Sequence, residues 1–335
     1  MQDIMSWKKG SQKTANYDCC SLKWIGEQYL EAMRPTLKES SYIKYLNMFR
    51  LYILPYLGTT DIRKITSGQL DMLSQILLTK GSGKKKKGLS QRSVQSVLRL
   101  LHNILKFGFQ KSGIELEIPV YQPIRSSSGR PDILSKGQQK ILCRHLENHV
   151  SQRGIGILVS LYLGLRLGEV CALTWENILL EDRVLSVRST MQRIQNISDD
   201  FAVPKTKIIL TPPKSKDSIR DLPIPDVLIK NLSIAREKAQ NNKAYLLTGR
   251  NDHFIENRNM EYYFTRTLEA CGLPHFHYHC LRHTFATRCA EAGMDPKTLS
   301  AILGHSSVNT TFNLYVHVTM DMKRENLKKL PEYFT

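Results

Sequence analysis

The segment Tyr278-His279-Cys280-Leu281-Arg282-His283 sets a histidine and an arginine three residues apart, with helical spacing. Residues at i and i+3 share one face of a helix, so His279 and Arg282 can serve one small target. A target suited to both a proton-transfer group and a fixed cation is a phosphate. Upstream, Gly164-Leu165-Arg166-Leu167-Gly168-Glu169 places a second arginine at the end of an apolar run. A charged group there must be paired or hold a ligand, and pairing with Glu169 or Glu176 is the plain alternative. Downstream, Leu303-Gly304-His305 is followed ten residues later by Tyr315. Tyr315 is the candidate nucleophile. A phenol with a pKa of about 10 is scarcely ionised at neutral pH and needs a base. His279 is the candidate base, and His305 a further hydrogen-bond partner for the phosphate. The two arginines would hold its non-bridging oxygens, where one well-placed donor is worth ~3–4 kcal/mol. Lys214, in the turn Pro212-Pro213-Lys214-Ser215-Lys216-Asp217-Ser218, could deliver a proton to the leaving oxygen, with Lys216 as its competitor.

Other chemistries fit less well. His275, His277, His279, Cys280 and His283 resemble a metal tract. His279 and His283 have the spacing of a His-Glu-x-x-His zinc helix, but Cys280 stands where the glutamate should be. No aspartate cluster for magnesium is evident, and neither a metal nor any other cofactor is expected. The lysine-rich stretch Lys80 to Gly88 ends in a phosphate-loop-like Gly83-Lys84, but Leu78 replaces the first glycine and Lys85 the Ser/Thr. It reads instead as a charged loop, solvated or laid on a polyanion. Seven cysteines, with Cys19 and Cys20 adjacent, form no disulfide framework. The N-terminus lacks the apolar core of a signal peptide. The longest apolar run, Ile155 to Leu165, is too short for a membrane span of about 20 residues. The chain reads as cytoplasmic and reduced.

The elements that must position these residues fall in two blocks. With 335 residues and 41% hydrophobic content, the chain can bury two ordinary cores. Its net charge is +18, which points to an anionic partner. Residues 1–130 hold 21 Lys+Arg against 9 Asp+Glu, so two thirds of that excess lies there. After a flexible segment, 1–20, helical periodicity predicts four helices: from Leu22, from Ser40-Ser41 to Pro55, from Thr66, and from Ser90 to about Ser112. Lys84, Lys85, Lys86, Lys87, Arg92 and Arg99 are the candidate nucleic-acid contacts of this block, 21–118. Pro- and Ser-rich residues 119–131 form the linker. Beyond it come a helix over 135–150 and a buried one over 155–165. Strands follow near 183–193, 207–210 and 220–224, the last two joined by the 212–218 turn. Helices are expected over 226–241, 257–272, 279–292, 296–303, about 310–316 and about 320–330. The fold class is mainly α with a small antiparallel sheet.

Gly-Leu-Arg-x-Gly-Glu at 164–169, His-x-Leu-Arg-His-Thr-Phe-Ala-Thr at 279–287, and Leu303-Gly304-His305 with Thr310-Thr311 before Tyr315 resemble the boxes of the tyrosine recombinase (phage integrase) family. Leu54-Pro55-Tyr56-Leu57-Gly58 and the helix after Leu89-Ser90 resemble its SAM-like core-binding domain. The likeness covers about residues 20–320 and is nearest to integrases of conjugative transposons and phages. The resemblance implies a site-specific recombinase that cleaves and rejoins double-stranded DNA without metal. Tyr315 would form a 3′-phosphotyrosine, and strands would exchange through a Holliday junction in a tetramer, integrating or excising a mobile element. It further implies a catalytic domain over 132–319, Glu169 as a supporting residue, and a C-terminal helix or tail over 320–335 that docks on a neighbouring subunit. It allows accessory DNA-bending or excision factors and a bacterial, nucleoid-associated setting. Many transposon integrases carry a separate arm-binding domain ahead of the core-binding domain. Only about 20 residues precede it here, which leaves a shorter recombinase or a fragment of a longer one. A non-catalytic DNA-binding regulator of this fold and a type IB topoisomerase-like enzyme are the rival readings.

Overall fold

The computed structural model describes residues 20–81, 88–113, 115, 117–122, 132–197, 204–212 and 218–305. Contacts group the chain into two units, Met1–Gly129 with Ile197–Lys205, and Arg130–Asn196 with Thr206–Thr335. Each of the two has its own large apolar core. The expected N-terminal segment (Cys20 apart), the lysines at 84–87, residues 123–131 of the linker, Lys214, Lys216, Tyr315 and the helices over 310–316 and 320–330 lie outside the described residues.

The first unit is helical: α1 (Leu22–Met33), α2 (Glu39–Met48), α3 (Leu54–Leu57), α4 (Ser67–Thr79) and α5 (Gln91–Ser112). Three of its caps are chemically plain. The hydroxyls of Ser21, Thr66 and Ser90 accept backbone N–H groups at the starts of α1, α4 and α5. Helix α2 departs from expectation: Lys38 occupies the N-cap position, and Ser40 and Ser41 lie inside the first turn. The helical path then widens into a π turn at Phe49–Ile53, where the Leu54 N–H reaches back to the Phe49 carbonyl. Pro55 has no N–H, and its ring would crowd the carbonyl of Leu51, so the chain widens there rather than stopping. Helix α5 buries Val94, Val97, Leu98, Leu101, Ile104 and Leu105 against Leu22, Ile25, Phe49 and Ile53.

The second unit holds α6 (Lys136–Asn148), α7 (Gln152–Leu163), α8 (Leu167–Ala172), α9 (Asp226–Glu237), α10 (Asn257–Ala270), α11 (Cys280–Glu291) and α12 (Pro296–Leu303). Among the described residues, five short strands lie between α8 and α9: β1 (Ile178–Leu179), β2 (Val184–Val187), β3 (Thr190–Gln195), β4 (Thr206–Thr211) and β5 (Arg220–Pro223). The α-rich class with antiparallel β is as expected, but the strand pairing differs. The expected strand over 183–193 is two strands, β2 and β3, which belong to different sheets. Strand β5 pairs with β2, Leu185 opposite Leu222, and β4 pairs with β3, Met191 opposite Leu210. Strands β4 and β5 therefore belong to different sheets and are not the two arms of one hairpin. Each pairing places the buried faces of its strands on the core, and periodicity alone carries no information about which strand a given edge will choose. Helix α9 also stops at Glu237, a turn earlier than its pattern suggested. Among the described residues, no helix is long and apolar enough to cross a membrane.

The core of this unit is built round α7. Ile155, Ile157, Leu158, Val159 and Leu161 are all buried, so this helix is apolar on every face and touches neighbours all round. Helix α11 packs along it, and the Tyr278 hydroxyl bonds to Ser160 at 2.8 Å and donates to the Gly156 carbonyl at 3.1 Å. Helices α7, α8, α11 and α12 end or begin around one place, and that place holds the candidate site.

Candidate functional site

Arg166 does not end the apolar helix as its sequence position suggested. Helix α7 stops at Leu163, and Gly164 turns the chain with φ +65°. A Cβ on Gly164 would sit 2.5 Å from Phe285 and 2.8 Å from Leu303, so the position needs glycine for both its backbone and its space. Arg166 then becomes the N-cap residue of α8. Glu169, three residues on, accepts the Arg166 backbone N–H on Oε2 at 2.9 Å and the Arg166 Nη1 on Oε1 at 2.8 Å. The pairing with Glu169 that was the plain alternative is thus present. It leaves the Arg166 side chain about a third exposed, with donors free to face a ligand.

Arg282 is 4% exposed and sits in the first turn of α11. Its Nη1 donates to the Gly164 carbonyl and its Nη2 to the Leu303 carbonyl, both at 2.7 Å. His279 is the residue just before α11 rather than within it, but its backbone is already αR. The i,i+3 relation to Arg282 therefore survives. His305 follows Gly304, which ends α12 with φ +65°.

These groups share one electrostatic environment. The pKa of His279 is lowered to about 4, first by loss of hydration and then by the positive charges of His283, Arg282 and Arg166, with Glu169 opposing. His305 is likewise lowered to about 4, by burial and then by Arg282, Arg166 and Arg220. Even Arg282 is pulled down to about 9, chiefly by burial and next by Arg166. The His283 ring meets that of His279 edge-on with centroids 4.6 Å apart. Three guanidinium groups, one carboxylate and two neutral imidazoles leave the cluster two charges positive. Such a cluster, open on the His279 side, is an anion site in which a neutral imidazole can accept a proton.

The third guanidinium belongs to Arg220, which sequence reasoning passed over as a strand residue. Its Nη2 donates to Glu169 Oε2 at 3.0 Å and its Nη1 to Glu169 Oε1 at 3.3 Å. A signal was available: Arg220 is in phase with Leu222 of β5 and with Ile224 just beyond it, both buried. An arginine on the inward face of a strand demands a buried partner.

The structure thus brings together Arg166, Glu169, His279, Arg282 and His305. In the first unit, Arg92 and Arg99 are exposed on α5, seven residues apart and so on one face. They are separate from the histidine–arginine cluster in sequence and belong to a different unit. Among the described residues, no group of three or more His, Cys, Asp or Glu side chains could hold a metal ion.

Residues 133–322 match the sequence profile of the phage integrase family, and residues 23–75 match that of the phage integrase N-terminal SAM-like domain. A tyrosine recombinase XerC-like protein of Caldanaerobacter subterraneus subsp. tengcongensis is 27% identical over 330 residues, covering 91% of this chain and 81% of that protein. The transposase of transposon Tn916 from Enterococcus faecalis is 29% identical over 190 residues, covering 52% of this chain but only 44% of the transposase. The chain therefore spans less than half the length of that relative. In three dimensions, a Tn1549 transposon integrase solved with a circular intermediate DNA has the same fold, with TM-score 0.74 at 20% identity over 93% of this chain and 99% of the solved one. With the family profile spanning more than half the chain and the arginine–histidine boxes assembled in one cluster, this protein belongs to the phage integrase family of tyrosine recombinases.

Proposed function

We propose that this chain exchanges strands between DNA duplexes through a covalent bond from Tyr315, serving the integration or excision of a mobile element. The observation that carries the reading is the joining of Arg166, Arg282, His279 and His305 round one buried carboxylate, a cation-rich pocket suited to a phosphodiester. Arg166 and Arg282 each hold backbone carbonyls or Glu169 with some of their five N–H groups. The remaining donors would bind the two non-bridging oxygens and offset the charge that grows on them in the transition state. His279, neutral at pH 7, takes the phenolic proton as the Tyr315 oxygen attacks phosphorus. The bond from phosphorus to the 5′-oxygen breaks, a 3′-phosphotyrosine forms, and Lys214 supplies the proton that the leaving 5′-oxygen needs, with Lys216 as its competitor. Attack by a 5′-hydroxyl from a second duplex reverses these steps. The covalent link conserves the energy of the broken phosphodiester bond, so no nucleotide energy source is required.

Two duplexes contain four strands to be cut, and each chain carries one Tyr315, so the complete reaction calls for four copies. In this reading residues 21–118 form the core-binding domain, 119–131 the linker and 132–319 the catalytic domain. The tail, 320–335, docks on a neighbouring copy, and Lys84 to Lys87 with Arg92 and Arg99 contact the DNA backbone. The setting is the bacterial cytoplasm, and accessory DNA-bending or excision factors have a place in it.

The test uses nicked duplexes tiled across the DNA that flanks the coding gene, incubated with the protein and run on a denaturing gel. The expected product is an SDS-resistant, protease-sensitive adduct from one duplex that is absent with Tyr315→Phe, while native-gel binding persists because the substitution removes one oxygen and little charge. Binding without an adduct from the unaltered chain would instead favour a regulator. Adducts and relaxation without exchange between two duplexes would favour a topoisomerase.

A further inference from the structure

The last turn of α12 leaves its final carbonyls without helical partners, as every helix does. Here each of three successive carbonyls is taken by a different arginine. Arg220 Nε donates to Ile302 O at 2.5 Å, Arg282 Nη2 to Leu303 O at 2.7 Å, and Arg166 Nη2 to Gly304 O at 3.0 Å. The Ser218 hydroxyl also donates to Gly304 O at 3.2 Å. His305 is the next residue. Arg166 is about a third exposed, and Arg282, though only 4% exposed, spends one bond from each Nη on a backbone carbonyl. Arg220 differs in that Nε and both Nη atoms are committed inward, to Ile302, Ser218 and both oxygens of Glu169.

We propose that Arg220 is a positioning residue for strand cleavage, tying Glu169, and through it Arg166, to the carbonyl end of α12 that presents His305. This rests on the reading of the cluster as a phosphodiester site. The physical case has three parts. The first is the carboxylate: Glu169 is 2% exposed, and burying it is tolerable only while it is fully paired. With Arg220 gone, Arg166 would be its sole cationic partner among the described residues, and the Arg166 guanidinium would be drawn inward off the substrate. The second part is rigidity. The Ile302 carbonyl lies three residues from His305, and the backbone of β5 is itself anchored by pairing Arg220 with Val187 of β2. Arg220 therefore fixes the end of α12 to the three-stranded sheet. The third is shape. One planar fork serves a carbonyl on Nε and a carboxylate on the Nη side, and a lysine, with a single terminal nitrogen, cannot serve both.

The test compares the full chain with Arg220→Gln and Arg220→Lys, each first checked for folding by circular dichroism and thermal denaturation. On the duplex that yields a covalent adduct, single-turnover cleavage at saturating DNA falls by about a hundredfold in both variants, the scale expected when catalytic groups are misplaced by about an ångström. DNA affinity stays unchanged, since Arg220 does not face the ligand. In parallel, NMR of the His305 ring shows a shifted signal in both variants and, in Arg220→Lys, where the positive charge is kept, a titration midpoint moved from that of the parent chain. Should Arg220→Gln fail to fold, Arg220→Lys, which keeps the charge but not the fork, carries the comparison. A folded variant that cleaves at the unaltered rate, or that leaves the His305 titration where it was, overturns the proposal. So does full rescue by lysine, which would reduce Arg220 to a charge. Failure of the unaltered chain to form any adduct would sink the phosphodiester reading instead, and the His305 titration would still decide whether Arg220 positions that ring.

Discussion

His279 and His305 hold pKa values near 4 because partial burial and, after it, two or three guanidinium groups oppose a further positive charge. A general base must be unprotonated before it acts, and both imidazoles meet that condition across the neutral range. The same depression has a cost at low pH. Above the ordinary histidine value of about 6.5, folded and unfolded chains both carry neutral rings, and neither state is favoured. As pH falls from there towards 4, the unfolded chain binds protons that the folded site refuses, so the folded state loses stability. The melting temperature should therefore drop over this window, and the drop should be smaller in a His279→Gln, His305→Gln variant. An equal drop in that variant would assign the acid sensitivity to other groups. Once a phosphate enters, its negative charge works in the opposite direction, and the rings become easier to protonate as the reaction demands.

At the scale of elements, the site depends on how closely α8 can approach β3. Gly168 stands in the first turn of α8, and a Cβ there would lie 2.6 Å from both the Met191 carbonyl and the Thr190 hydroxyl. Strand β3 is held by its six-residue pairing with β4, so backbone would have to move to make room. Gly168→Ala should cost about 1–3 kcal/mol in urea denaturation, the range for overpacking. It should also reduce cleavage by more than that loss of folded protein accounts for, because α8 carries both Arg166 and Glu169. Unchanged stability would mean that β3 yields more easily than its pairing implies. Gly164 plays the matching part at the other end of the elbow, where the chain leaves α7 and only a residue without Cβ fits between Phe285 and Leu303.

At the scale of the molecule, the net charge of +18 is concentrated in the N-terminal block. On α5, Arg92, Arg99 and Lys106 are exposed and recur every seven residues, so they form one stripe opposite the buried face. Lys111 is placed otherwise, lying over the rings of Trp24 and Phe107 and bonding to Gln28. Each cation that meets a DNA phosphate releases counterions and adds about 0.9 to the slope of log K against log salt. Replacing Arg92 and Arg99 by Gln should thus lower that slope by about 2, weaken binding across all sequences, and leave the cleavage rate at saturating DNA unaltered. A slope identical to that of the parent chain would remove this face of α5 from the DNA contacts.

How much of this was legible in the order of residues follows from the range of the forces involved. Helices α1, α4, α5, α6 and α12 could be read because their signals are local: a Ser, Thr or Asp cap, a 3.6-residue apolar period, a closing glycine. The nature of the chemistry could be read too, since His279 and Arg282 lie within one turn and the types at 166 and 305 suit a phosphate wherever they fold. Strand pairing could not be read, because β2 and β3 run on in sequence yet hydrogen-bond to partners some 35 and 15 residues away, and the alternation of side chains is the same whichever edge is chosen. Nor could the place of Arg166, whose position beside an apolar run suggested a helix end until the turn at Gly164 moved it to the start of the next helix. Arg220 shows the division most sharply. Its sequence neighbours mark only a strand. Its partners, Glu169 on α8 and Ile302 on α12, lie 51 and 82 residues away, and the bonds between them exist only because the tertiary fold closes a low-dielectric space in which an unpaired charge would be intolerable.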